Sequence, residues 1–170
     1  GTAKQFLPDA SWAVWYAQGT RSTTTTKTDQ TINFGSISDK NIGTSFTVSA
    51  STSSNLAVTF SVASGDISIT GNTVKVGTNA GKASIKATQA GNTQFNAATT
   101  TQTFCIIPAT PRITLSGGSY VISGGKNFQW YVGGNPVGGQ TTAITLKPDL
   151  NGVYTVKSIT DDGCFSAASN

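Results

Sequence analysis

Apolar residues along this chain recur in short runs at every second position, the period of a strand with one buried face. Phe46, Val48 and Ala50 follow that rule, as do Val58, Phe60 and Val62, and Ala83, Ile85 and Ala87. The pattern predicts strands over 31–35, 45–51, 56–62, 67–70, 73–76, 82–89 and 100–106, then over 112–115, 119–122, 127–132, 143–146 and 152–159. Gly71-Asn72 falls between Ile67-Ser68-Ile69 and Val74-Lys75-Val76, so a tight hairpin is expected there, because Gly and Asn tolerate positive φ. Gly117-Gly118, Gly124-Gly125, Gly133-Gly134 and Gly138-Gly139 read as turns between strands. No helical pattern follows them, so they lack the setting of a phosphate-cradling loop.

Strands this short and closely spaced are the sequence pattern of β-sandwiches. Two blocks separate at Pro108-Ala109-Thr110-Pro111, a stiff extended linker. The expected organisation is an N-terminal extended segment over 1–29, one β-domain over 30–106 and a second over 107–170. Thr, Ser, Gly, Asn and Ala dominate, and there is no Met and no Glu, which disfavours helix. The same polar bias occurs in disordered chains, but those lack alternating apolar runs.

Charge and cysteine content narrow the function. The net charge is +4, yet the basic residues are scattered from Lys4 to Lys157 and form no patch for nucleic acid. No apolar run approaches the ~20 residues that cross a bilayer. The chain starts at Gly1 with neither a Met nor a signal peptide, so a processed product or excised fragment is expected. Cys105 and Cys164 leave three options: a disulfide, two free thiols, or half a metal site. With no His and few nearby acids, the metal option lacks ligands. The disulfide is favoured, and it implies an oxidising compartment.

No catalytic constellation emerges. A Ser or Cys nucleophile needs a base, and the chain has no His. Asp149, Asp161 and Asp162 are candidate acids, but adjacent acids before Gly163 read as a solvated turn. Asp161 and Asp162 with loop carbonyls would give Ca²⁺ few ligands. No enzyme activity, cofactor or metal is expected.

Phe128-Gln129-Trp130-Tyr131 resembles the central strand of immunoglobulin-like domains, with Trp130 in the core and Tyr131 half-exposed on the opposite face. The stretch 149–156, with Asn151-Gly152-Val153-Tyr154, resembles their tyrosine corner, in which the hydroxyl of Tyr154 would tie back to upstream backbone. The resemblance extends further. Gln30-Thr31-Ile32-Asn33-Phe34-Gly35, Asp39-Lys40, Gly43, Leu56-Ala57-Val58-Thr59-Phe60 and Gln89-Ala90-Gly91-Asn92 with Phe95 and Ala97 are similar to MBG-type bacterial immunoglobulin-like repeats. Phe104-Cys105, Pro108, Pro111, Asn127, Gln129-Trp130, Gly134, Gly139, Tyr154-Thr155-Val156 and Asp162-Gly163-Cys164 resemble the module that often follows them in surface proteins of the type IX export route. The resemblance implies two tandem immunoglobulin-like β-sandwiches, an extracellular or cell-surface location and a Cys105–Cys164 bond.

Trp12, Val14, Trp15 and Tyr16 remain apart from both blocks. As a strand, Trp12, Val14 and Tyr16 would share a face too apolar to sit alone in water. Three readings compete: an extra strand on the first domain or the end of a preceding one, a donor strand for a neighbouring subunit, or a sugar-stacking platform joined by Tyr131. The function expected is a non-catalytic structural or adhesive module, a spacer or a fibre subunit whose partners are copies of itself or neighbouring domains. The alternative is a polysaccharide-binding or accessory module of a larger secreted hydrolase.

Overall fold

A computed structural model describes residues 26–148 and 151–169. The readings on Trp12, Val14, Trp15 and Tyr16 lie outside the described residues, as do Asp149 and Leu150 in the proposed corner. The described chain is all-β, with no helix long and apolar enough to cross a membrane.

Among the described residues, nine strands precede Pro108: β1 (Ile32–Asn33), β2 (Lys40–Asn41), β3 (Ser45–Thr47), β4 (Ser51–Thr52), β5 (Thr59–Ser64), β6 (Ile67–Thr70), β7 (Thr73–Val76), β8 (Gly81–Gln89) and β9 (Ala98–Ile107). They form a four-stranded sheet ordered β2-β9-β8-β5, a three-stranded sheet ordered β3-β7-β6 and the pair β1-β4. Val74, Val76, Ala83, Ile85 and Ala87 are fully buried with Phe104 and Ile106, so the inward faces of both larger sheets supply one core. Phe46 meets Phe104 edge-on at 5.6 Å across it. Each such Val or Ile contributes roughly 1.5–3 kcal/mol by leaving water.

The alternation at 45–51 is real, but the segment is two strands. β3 pairs with β7, β4 pairs with β1, and the buried Val48 lies at the crossing between sheets. Val62, expected on the core face, is 42% exposed. The β5–β8 register slips between Val62 and Ser64, and such a bulge re-aims the strand end. In the β6–β7 hairpin only Gly71 has positive φ, +61°, as a type II′ turn requires. β2 was not expected from its polar sequence; it joins the sheet parallel to β9, with Lys40 beside Ile106.

Among the described residues, six strands follow Pro108: β10 (Arg112–Ser116), β11 (Ser119–Ser123), β12 (Asn127–Val132), β13 (Asn135–Thr141), β14 (Thr145–Leu146) and β15 (Tyr154–Ile159). The sheets are β10-β11-β14 and β13-β12-β15. Ile122, Phe128, Trp130, Tyr154 and Val156 form a second buried cluster. Tyr120, Trp130 and Tyr154 pack ring against ring, with centroids 5.1 to 6.4 Å apart. Two-residue turns at Gly117-Gly118 and Gly133-Gly134 have positive φ at both positions, the type I′ geometry that only glycine and a few polar residues accept readily.

Gly138-Gly139, expected to be a turn, lies inside β13. Pro136 and the glycines concealed that strand. It is tolerated because β13 lies at a sheet edge, where a missing N–H need not break the ladder. At the linker, Pro108 is half-buried and Pro111 fully buried, while Ala109 and Thr110 are exposed.

Candidate functional site

The chemistry-bearing residues converge where the two blocks meet. β8 and β9 bring Lys82 opposite Cys105. In this facing pair each main-chain N–H points away from its partner and donates to a carboxylate. The Cys105 N–H donates to Asp39 Oδ1 at 2.8 Å, and the Lys82 N–H donates to Asp162 Oδ2. Asp162 belongs to the turn after β15, so a carboxylate of the second block occupies a ladder position of the first. One residue pair further along the turn, Cys164 is bonded to Cys105, with Cα atoms 5.6 Å apart.

The turn is built to hold both groups. The Thr160 N–H donates to the Cys164 carbonyl at 2.9 Å, and the Gly163 N–H donates to the Thr160 carbonyl at 3.0 Å. The Cys164 N–H donates to Thr160 Oγ1, whose hydroxyl donates to Asp162 Oδ1. Gly163 supplies a φ of +88° that closes the turn. The Thr160 hydroxyl, and after it the Lys82 N–H, hold the Asp162 carboxyl below the ordinary carboxylate range. Asp162 is therefore a clamp between blocks that sits in the exposed turn the sequence suggested. Asp161 binds the Asn127 side chain at 2.7 Å. Thr160 carries this arrangement, and nothing in its sequence context marked it.

Beside the clamp lies an open cleft of about 570 Å³, walled by Ile42 and Asn79 from one block and Pro108, Lys126, Ser158 and Asp161 from beyond it. The Ser158 hydroxyl is buried there against Gly125, where any Cβ would lie 2.4 Å from it. Among the described residues no group of three acids or cysteines is placed to hold a metal ion.

The other sequence candidates sit apart. Trp130 is 3% exposed and Tyr154 is 8% exposed, both within the second core. Tyr131 is half-buried, with the Lys157 ammonium 5.3 Å from its ring centroid, so one ring face is already covered. A polar node that the motif pattern concealed lies in the first block. Gln30 donates to Gln89 Oε1 and to the Asn96 carbonyl, both at 2.6 Å, and accepts from Ser54. Gln89 also accepts from the Gly91 N–H. These are the two glutamines of the first block's resemblance motifs, and their shared role is to anchor the start of that block.

Compared with known proteins, the chain matches no protein-family model, and no curated protein matches it significantly.

Proposed function

We propose that the chain is a non-catalytic structural or adhesive part of an extracellular surface protein or fibre, made of two immunoglobulin-like sandwiches joined as a stiff spacer. The observation that carries this reading is the doubly tied junction: the Cys105–Cys164 bond together with the Asp162–Lys82 hydrogen bond. A disulfide between blocks suits an oxidising exterior. Two ties a few residues apart oppose hinge motion, which a spacer needs and a clamshell enzyme does not. The absence of any His from the sequence agrees with a role that requires no general base.

Assembly through residues 1–29 belongs to the same reading. Among the described residues nothing pairs with the outer edge of β10, and Leu115 on that strand is 69% exposed. An added strand bearing Trp12, Val14 and Tyr16 would gain main-chain hydrogen bonds and cover apolar surface there. Negative-stain electron microscopy of the full chain and of a version lacking residues 1–29 tests this. Filaments that vanish on truncation are expected. Discrete particles in both samples would remove donor-strand assembly and leave a spacer. Binding to insoluble polysaccharide that is lost in Trp12→Ala, Trp15→Ala would replace the proposal with carbohydrate recognition.

A further inference from the structure

We infer that the Cys105–Cys164 bond is a load bypass: tension applied along the chain runs through the first block and skips the second. The biological use of this device rests on the spacer reading. The load path itself follows from connectivity, so the two fail separately.

The path can be traced bond by bond. A pull on the C-terminal end first meets residues 165–169, which run back along β15. The Ser169 and Ser166 N–H groups donate to the Val156 and Ser158 carbonyls at 2.8 and 3.0 Å. These bonds are loaded one after another and peel in sequence. Tension then reaches Cys164 and passes through the sulfurs to Cys105 on β9. Residues 106–163, which hold all of β10 to β15, lie inside a closed covalent loop and carry none of it.

The first block is arranged to receive that load. Its opening segment runs parallel to β9. Thr28 lies beside Phe95, Gln102 donates to the Phe34 carbonyl at 2.7 Å, and Lys40 lies beside Ile106. Pulling back on Thr28 and forward on Cys105 slides these two parallel segments against each other. Many bonds then share the load at once: Thr28 N–H to the Gln94 carbonyl, Asn96 N–H to the Thr28 carbonyl, Asn96 to Asp29, and the Gln30 node. The second block is thus peeled only at its last residues, while the first resists in shear. Apart from the β15 edge that the peeled tail uncovers, the surface of the second block is outside the load path.

Single-molecule pulling between handles on the two ends of the full chain tests this. The oxidised protein, fully extended, is expected to be shorter than the same chain reduced in denaturant beforehand. The 59-residue separation sets the deficit at about 200 Å. Ile85→Ala in the first core should lower the main rupture force, and Val156→Ala in the second should leave it unchanged. Equal extended lengths, or a rupture force that falls as much for Val156→Ala as for Ile85→Ala, would overturn the bypass. The length comparison needs no variant to fold. Filament formation in the microscope is a separate readout and decides only the assembly reading.

Discussion

Two aspartates illustrate how single side chains organise this protein. Asp66 accepts from the Asn79 N–H (2.8 Å), the Thr78 N–H (2.9 Å) and the Asn79 amide. The Asn79 N–H is the main cause of its lowered carboxyl pKa, as the Thr160 hydroxyl is for Asp162. A Cβ at Gly77 would lie 2.2 Å from the Asp66 carboxylate, so a side chain there would push that carboxylate off its donors. A carboxyl whose pKa is depressed by folding adds stability above its unfolded value, and that stability is lost as pH falls through the folded value. Stability should therefore be flat near neutrality and fall below about pH 4, where free Asp titrates. Asp66→Asn and Asp162→Asn should each flatten that fall, read from urea unfolding at several pH values. An unchanged acid limb would deny these carboxyls their role.

At the scale of elements, the last strand is protected by its own tail. The Ser158 N–H donates to Ser166 Oγ (2.9 Å) and the Val156 N–H to Ser169 Oγ (3.0 Å), so two serine side chains complete what a neighbouring strand would supply. Both serines are buried. An uncovered edge invites pairing with other chains, and this cover removes it. Ser166→Ala with Ser169→Ala leaves two buried N–H groups unpaired and should destabilise the second block by about 2–4 kcal/mol. Amide hydrogen exchange at Val156 and Ser158 should accelerate accordingly, with little change at Ile85 in the other core.

At the scale of the molecule, the two buried clusters share no residue, and the disulfide closes a loop around one of them. Chain-entropy reasoning gives a loop of this length about 4 kcal/mol, acting through the unfolded state. A core of only a few large side chains is marginal alone. Reduction should therefore lower the melting temperature of the second block more than that of the first, as two separable calorimetric transitions would record. Equal shifts would mean that the blocks unfold as one unit.

The strand pattern was legible because one-sided burial imprints a period of two on the residues. Ala83, Ile85 and Ala87 declared their buried face, and Trp130 declared its core position. The glycine pairs at 117–118 and 133–134 announced turns because few other residues accept their backbone angles. β13 was hidden because edge strands need neither alternation nor a full set of N–H donors, and β2 because two polar residues carry no period. The role of Asp162 and the Gln30–Gln89 node were hidden for a different reason. Their meaning lies in partners 80 and 59 residues away, Lys82 for Asp162 and Gln89 for Gln30. Local sequence governs the free energy of turning and pairing nearby residues, so it determined the all-β character. Which polar groups meet across the junction depends on how two finished blocks pack, and only the tertiary structure decided that.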